Sequence, residues 1–194
     1  MRILGLILAG GQARRMGGAD KALLPFGPGT LLSQVIDRFA PQVEDLALSA
    51  NGDPARFAPF GLAVLPDAAS QGPLSGLLAG LTWAAAQGAT SLATVPVDGP
   101  FLPPDLVPRL CLAAEGTSAP ALAASPSGLH PTFGLWPVNL AQPLAAFLAS
   151  GAKPRLRDFA QAHGLAIASF PDDLAFANAN TPDDLARLAA LALP

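Results

Sequence analysis

An apolar run that ends abruptly in a glycine-rich, basic segment constrains the fold of this chain more than any other feature. The run is Ile3–Leu8, and residues 8–21 read LAGGQARRMGGADK. A short apolar run that stops at glycines is typical of a buried strand. Glycines let the backbone come close to phosphate oxygens, and the side chains of Arg15 and Lys21 can neutralise phosphate charge. The junction therefore predicts a strand followed by a site for a nucleoside triphosphate.

The glycine-rich segment matches neither of the common phosphate-binding patterns. In a Walker A motif a lysine directly follows the last glycine and a hydroxyl residue comes next. Here Lys21 stands three positions after Gly18 and is followed by Ala22. The dinucleotide fingerprint GxGxxG is also absent from the segment. From the residues alone, the alternative interpretation is a strand-to-helix turn with a basic rim.

The first half of the chain alternates short apolar runs with helical patterns. Strands are predicted at 3–8, 46–50, 62–65 and 91–95, and helices are predicted to begin after Thr30, at residues 72–73 and at residues 103–105. This βαβα series predicts an α/β, Rossmann-like fold with a mostly parallel, doubly wound sheet. Because no linker divides residues 1–194, we expect a single domain.

The second half predicts an antiparallel addition to the sheet. Residues 119–124 and 132–136 resemble strands joined by a turn at 126–128, and residues 165–170 predict a late strand. Helices are predicted over roughly 139–149 and 155–163, and Thr181 followed by a proline and two aspartates predicts the start of a last helix. We therefore expect a small antiparallel extension in this half.

Polar side chains follow the predicted strands of the first half. Asn51 follows the second strand, Asp67 the third and Asp98 the fourth, while the glycine-rich segment follows the first. Ligands of open α/β sheets bind outside the carboxyl ends of the strands. We therefore expect these groups to converge at one edge. Taken singly, an Asn or Asp at such a position can also be an ordinary turn residue.

The spelling of residues 8–21 resembles the MobA-like nucleotidyltransferases, which attach a nucleoside monophosphate to a phosphorylated acceptor. Four later stretches resemble the family in the same order: residues 72–77 its GPLxGL, residues 95–103 its PxDxPFLP, residues 130–133 a stretch leading into a strand, and residues 178–185 its NxNTPEDL. The chain departs from the family at Val97 and Gly99, where Cys and Thr are common.

The resemblance assigns roles to the donor half of the site. It implies that Asp98 binds Mg²⁺, that Lys21 contacts the triphosphate and that Arg15 stabilises charge as pyrophosphate leaves. One or two carboxylates together with phosphates and water are what Mg²⁺ prefers. The implied nucleotide contacts are Leu8, Ala9, Gly10, Gly11, Lys21, Asn51, Asp67 and Asp98, and the small residues of 72–77 would let the base or ribose lie against a helix start. The alternative for Lys21 and Arg15 is a solvated surface charge.

The acceptor half of the site rests on weaker patterns. By resemblance, Asn178 and Asn180 would bind a pterin or support the metal, although a turn and helix cap would explain them as well. Lys153, Arg155 and Arg157 form a basic loop that would hold an acceptor phosphate or simply be solvated. We expect His130 to be structural and His163 to end a helix.

Composition excludes several classes of function. A net charge of −3 argues against broad nucleic-acid binding. The single cysteine, Cys111, rules out an internal disulfide and is expected to be a buried, inert thiol. No apolar run is long enough for a membrane span, and the first residues do not form a signal peptide. We therefore expect a cytoplasmic protein. The resemblance implies transient contacts with cofactor-synthesis or acceptor proteins, and we expect a monomer.

The resemblance implies that the chain transfers GMP from Mg-GTP to molybdopterin or its molybdenum form, releasing pyrophosphate. A related transferase using CTP or a sugar-phosphate acceptor remains an alternative, as does a non-catalytic nucleotide sensor of the same fold. Gly10, where several relatives carry Ala, leaves more room beside a base and favours guanine. The presence of all three residues to which the resemblance gives catalytic roles, Lys21, Asp98 and Arg15, argues against a non-catalytic sensor.

Overall fold

The computed structural model describes residues 1–9, 20–66, 72–150 and 155–192. Its strands are β1 (Ile3–Leu8), β2 (Pro25–Phe26), β3 (Gly29–Thr30), β4 (Leu46–Ser49), β5 (Ala63–Leu65), β6 (Ser91–Pro96), β7 (Ala121–Ser125), β8 (Gly128–Pro137) and β9 (Ala166–Ser169). Its α-helices are α1 (Leu31–Phe39), α2 (Pro73–Ala86), α3 (Leu106–Ala113), α4 (Ala141–Ala149), α5 (Leu156–Ala162) and α6 (Pro182–Leu191).

The main sheet has the strand order β5-β4-β1-β6-β8-β7-β9. Strands β5, β4, β1 and β6 are parallel, β8 is antiparallel to both β6 and β7, and β9 is parallel to β7. The predicted mostly parallel sheet with an antiparallel extension is confirmed. Because β8 is antiparallel to both β6 and β7, strands β6 and β7 run in the same direction. Strands β7 and β9 therefore run in the same direction as β1. All six strands other than β8 therefore end at the same edge of the sheet, which we call the carboxyl edge.

Two helices begin as their sequence predicts. The Thr30 side chain accepts a hydrogen bond from Ser33 N, and the Ser33 side chain accepts one from the Thr30 backbone N–H. Thr181 and Asp184 form the same reciprocal capping box at the start of α6, where Pro182 occupies the first turn. Each box satisfies backbone N–H groups that a helix start otherwise leaves unpaired.

The sheet is covered on both faces. One face packs α1 and α3 around a core that includes Phe39 and Leu110. The other packs α2, α4 and α5 around Leu77 and Trp136. Helix α2 lies close to the sheet because Gly80 has no side chain: a Cβ there would meet Leu6 Cδ2 at 2.5 Å.

The hairpin of β7 and β8 is longer than predicted. Strand β8 starts at Gly128, whose φ of +123° suits glycine, four residues before the predicted start at 132. It contains Pro131, which has no N–H to donate. Pairing with β6 begins only at Gly134, and the register with β7 jumps from His130 to Gly134. Pro131 therefore lies in an irregularity of the strand where no ladder hydrogen bond is required of it.

A third, smaller core fixes the C-terminal segment. Ala179 is fully buried with Phe26, Leu31 and Leu188, so the residues before α6 are packed against the β2–β3 hairpin and the start of α1. Of the helices formed by the described residues, none is long and apolar enough to cross a lipid bilayer.

Candidate active site

An ion pair between Lys21 and Asp98 lies at the carboxyl edge. Lys21 Nζ is 2.6 Å from Asp98 Oδ2, and the two side chains are 19% and 20% exposed. Lys21 opens a short 3-10 helix, Lys21–Leu23, whose first turn is capped by the Asp20 carboxylate. Asp98 stands just beyond the end of β6. Two residues 77 positions apart, both predicted to serve the triphosphate and its metal, are thus in direct contact.

Asn180 completes this cluster. Its Oδ1 accepts a hydrogen bond from Lys21 Nζ at 3.2 Å. The neighbouring Ala179 N–H donates to the Asp98 carbonyl at 2.9 Å, and burial of the Ala179 methyl group holds this backbone in place. Asn178 is exposed beside the same segment. One cluster therefore contains Lys21, Asp98 and Asn180, three residues that the sequence analysis assigned to the candidate site.

Sequence reasoning missed Arg56. Its Nε lies 2.6 Å from Asp20 Oδ2, its Nη2 donates to the Asn51 carbonyl at 2.5 Å, and its Nη1 donates to the Asp53 carbonyl. The guanidinium also lies 4.3 Å from the centre of the Phe57 ring. Arg56 therefore joins Asp20, near the end of the glycine-rich segment, to Asn51, the second residue after β4.

Leu8 and Ala9 contribute to this edge through their backbone. The Leu8 side chain is almost fully buried, its carbonyl accepts from Val97 N, and Ala9 N donates to the Ser49 carbonyl. A nucleotide contact from Leu8 would therefore have to come from its main chain. Gly76 also has a packing role, because a Cβ there would meet Ser49 Oγ at 2.5 Å.

Several predicted site residues lie outside the described part of the chain. They are Gly10, Gly11, Arg15, Asp67 and Lys153. Arg155 is described: it is exposed and immediately precedes α5. Because α5 leads down to the start of β9, Arg155 lies toward the carboxyl edge. Among the described residues, the hydrogen-bond and ion-pair partners of Lys21 and Asp98 do not include Arg155.

The two histidines and the cysteine have clear surroundings. His163 ends α5, and its Nδ1 lies 2.9 Å from the Phe159 carbonyl. His130 Nε2 lies 2.7 Å from Ser125 Oγ, and burial lowers the pKa of His130 while the Asp173 carboxylate opposes that shift. Burial raises the pKa of the Cys111 thiol, which is half-buried rather than fully buried as expected.

The donor set at the cluster fits a metal ion that arrives with a nucleotide. Among the described residues, no three His, Cys, Asp or Glu side chains are grouped to hold a metal by themselves. Magnesium needs fewer protein ligands, because it keeps several waters and binds substrate phosphates. Lys21 contacts only one oxygen of Asp98, and a carboxylate has further lone pairs on both oxygens. Asp98 and the Asn180 amide oxygen are therefore suitable hard ligands.

A basic, glycine-rich segment after the first strand, together with a Lys–Asp–Asn cluster at the carboxyl edge, defines a nucleotide-binding α/β protein. The sequence profile of the MobA-like NTP transferase domain matches residues 5–167. The chain therefore belongs to the MobA-like NTP transferase family and is a nucleotidyltransferase.

Three known proteins illustrate this relationship. The molybdenum cofactor guanylyltransferase of Cereibacter sphaeroides is 60% identical over 191 residues, covering 98% of this chain and 97% of that protein. The crystal structure of molybdopterin-guanine dinucleotide biosynthesis protein A from Archaeoglobus fulgidus has a TM-score of 0.73 at 18% identity, with 98% of each chain covered. A Mycobacterium tuberculosis protein crystallised with manganese has a TM-score of 0.66 at 21% identity, covering 98% of this chain and 99% of that one.

Proposed function

We propose that this chain transfers GMP from GTP to molybdopterin, or to its molybdenum form, and releases pyrophosphate. An oxygen of the acceptor's phosphate attacks the α-phosphorus of GTP. A new P–O bond forms there as the bond from the α-phosphorus to the β-bridging oxygen breaks, and pyrophosphate leaves with that electron pair. The name and the 60% identity of the Cereibacter sphaeroides relative support this choice of donor and acceptor.

The contact among Lys21, Asp98 and Asn180 is the observation that carries the proposal. It places a cation, a carboxylate and an amide oxygen at the end of the strands where a triphosphate would bind. Phosphoryl-type transfer needs positioning and charge stabilisation more than covalent help from the protein. In this proposal the Lys21 ammonium balances phosphate charge and Asn180 keeps Lys21 in position.

The proposed metal is Mg²⁺, with Asp98 as its protein ligand. When bound, the ion offsets charge on the triphosphate and on the leaving pyrophosphate. The fold neighbour crystallised with manganese supports a divalent ion of this kind. Asn180 is close enough to Asp98 to support the same ion, since both contact Lys21.

The remaining residues are assigned by their place along the chain. Gly10, Gly11 and Arg15 would hold the phosphates, and Asn51 and Asp67 would contact the nucleotide. A carboxylate can accept from the ring N–H and the exocyclic amine of guanine. The exposed Asn178, with Lys153 and Arg155 before α5, would bind the acceptor.

Nucleotide binding and product formation test the proposal together. In the presence of Mg²⁺, GTP should raise the unfolding temperature more than CTP, ATP or UTP, because a ligand that binds only the folded state stabilises it by mass action. With molybdopterin added, GTP should yield pyrophosphate and a guanine dinucleotide. Greater protection by CTP would contradict guanine specificity. GTP binding without pyrophosphate release would favour a nucleotide sensor.

A further inference from the structure

A second polar cluster lies at the carboxyl edge, at the end of the β7–β8 hairpin. Ser125 Oγ donates a hydrogen bond to the Asp173 carboxylate and lies 2.7 Å from His130 Nε2. Ser127 N also donates to Asp173 Oδ1, at 2.9 Å. Because a serine hydroxyl has one proton and gives it to Asp173, the His130 nitrogen must donate to Ser125. We call Ser125, His130 and Asp173 the hairpin network.

The order of these groups excludes a hydrolytic triad. In a triad the histidine lies between serine and aspartate and takes the serine proton. In the hairpin network the serine lies between the other two side chains and gives its proton to the aspartate. The network therefore joins two parts of the chain: the hairpin, and the segment that follows β9.

An aromatic stack strengthens this junction. The His130 ring lies on the Phe176 ring with centroids 4.3 Å apart and planes 8° from parallel. Phe176 is almost fully buried and meets the edge of Phe133 at 5.0 Å. The segment from Asp173 to Phe176 is therefore held at its beginning by hydrogen bonds and at its end by ring packing.

This segment leads directly to the Lys21–Asp98 pair. Four residues after Phe176, Asn180 accepts from Lys21, and Ala179 N–H donates to the Asp98 carbonyl. An extended chain advances at most about 3.6 Å per residue, so only a short segment joins the stack to the Lys21–Asp98 pair. A loosened Phe176 would therefore release one end of the segment that carries Asn178–Asn180.

Phe133 provides a second connection. A Cβ on Gly99 would meet Phe133 Cζ at 2.6 Å, so the ring fills the space beside the residue that follows Asp98. His130 in turn meets Phe133 edge-on at 6.3 Å. The hairpin network thus reaches Asp98 through the Phe176–Asn180 segment and through the Phe133 ring.

We propose that His130, Ser125 and Asp173 are positioning residues for GMP transfer, holding Asn178–Asn180 against Asp98 in the arrangement the reaction needs. The inference rests on the proposed function. A displacement of reacting groups by about 1 Å costs on the order of a hundredfold in rate. Loosening the network should therefore slow the transfer far more than it weakens GTP binding, because Lys21 loses at most its Asn180 contact and keeps its ion pair with Asp98.

The test compares variants that separate the hydrogen bond from the stack. Ser125→Ala removes the central hydroxyl with little change of shape, His130→Phe keeps an aromatic ring without a donor, and His130→Gln keeps a donor without the ring. His163→Phe is the matched control, because His163 is also half-buried and lies 4.4 Å from a phenylalanine ring. Unfolding temperatures establish that each variant is folded.

Ser125→Ala and His130→Phe should each lower kcat by about tenfold to a hundredfold, with the KM for GTP within about twofold of wild type and partial recovery in His130→Gln. Amide hydrogen exchange of residues 174–181 should become faster in the same variants, and His163→Phe should change neither. Unaltered exchange, or faster exchange with unaltered kcat, would overturn the proposal.

The exchange measurement also separates this inference from the proposed function. If the wild-type chain makes no guanine dinucleotide, the proposed function fails by itself. Faster exchange of residues 174–181 in Ser125→Ala would then still show that the network holds this segment. The positioning role in GMP transfer would nevertheless be rejected, because the reaction itself would be absent.

Discussion

The Lys21 ammonium and the Asp98 carboxylate are each other's counter-ion, 2.6 Å apart at the end of β6. Each therefore keeps the other from carrying an uncompensated charge in a partly buried position. The Asn180 amide oxygen accepts a second hydrogen bond from the ammonium, so the direction of the Lys21 side chain is fixed by two partners.

Replacing Asp98 should abolish most of the turnover without unfolding the protein. Asp98→Asn keeps the shape of the side chain but removes the charge proposed to hold Mg²⁺. Pyrophosphate release should fall by at least about a hundredfold, an increase of about 2.7 kcal/mol in the barrier. Asp105→Asn is the matched control. Asp105 is also ion-paired, with Arg109, but it lies at the start of α3, at the other end of the loop that connects β6 to α3. Wild-type turnover in Asp98→Asn would rule out Asp98 as the metal ligand.

The donor and acceptor halves of the site should respond to different substitutions. Lys21→Ala should raise the KM for GTP, and the double variant of Arg155 and Arg157 to Ala should raise the KM for the acceptor. Each effect should be about tenfold to a hundredfold, because removing a charge-assisted hydrogen bond costs about 1.5–3 kcal/mol. Steady-state kinetics with each substrate varied in turn measures both.

The control for this comparison is Arg187→Ala, an exposed arginine on α6 whose carboxylate partner is 3.9 Å away. An exposed pair of this kind contributes little, so its kinetics should match wild type. If the Arg155 and Arg157 variant lost GTP affinity with an unchanged acceptor KM, the assignment would be reversed: GTP would bind near Arg155 and the acceptor near Lys21.

Arg56 should support GTP binding through Asp20. Without the guanidinium, the Asp20 carboxylate at the end of the glycine-rich segment has no counter-ion and repels phosphate. Arg56→Ala should therefore raise the KM for GTP by about threefold to tenfold, and Asp20→Ala in the same chain should restore part of the loss. Arg109→Ala is the control: Arg109 is also ion-paired at 2.6 Å and lies over a ring, that of Phe170. Equal losses in both single variants would assign Arg56 to stability alone.

Stability should fall as the solution is acidified through the titration range of His130. Burial lowers the pKa of folded His130, and Asp173, the charged group facing it through Ser125, opposes that shift. The unfolded chain takes up a proton near the ordinary value of 6.5, before the folded chain does. The free energy of unfolding should therefore decrease as pH falls from 6.5 toward the lower folded pKa.

Urea unfolding from about pH 7 to about pH 5 measures this dependence. His130→Phe has no titrating group at this position and should show a smaller decrease than wild type. A second loss should follow in stronger acid, because the hydrogen bond from Ser125 lowers the pKa of Asp173 below 3.8. Identical pH dependence in wild type and His130→Phe would show that this histidine does not couple to folding.

The sequence predicted the parts of the fold that depend on local patterns. The helix starts at Thr30 and Thr181 and the apolar runs of β1 and β6 can be recognised within a few neighbouring residues. The edge at which Asp98 lies follows from strand direction alone. These features are fixed by short-range chemistry and by the single hand of parallel connections.

The sequence could not reveal the pairs that depend on tertiary packing. Arg56 and Asp20 are 36 positions apart, and Ser125 and Asp173 are 48 positions apart, with no periodic pattern linking them. The early part of β8 was missed for a related reason. Pro131 argues against a strand from sequence, and it is acceptable because it lies where the register between β7 and β8 shifts.

The hydrogen bond between Lys21 and Asn180 closes a loop of 159 positions, so the cluster joins the segment after β1 to a segment that follows the last strand of the sheet. A chain that stops before Asn178 still contains every strand of the sheet, including β9. It lacks the buried Ala179, whose N–H donates to the Asp98 carbonyl, and it also lacks helix α6. The sheet and the Lys21–Asp98–Asn180 cluster therefore depend on different parts of the chain, because the residues up to β9 form all the strands of the sheet and Asn180, which follows them, supplies the second partner of Lys21.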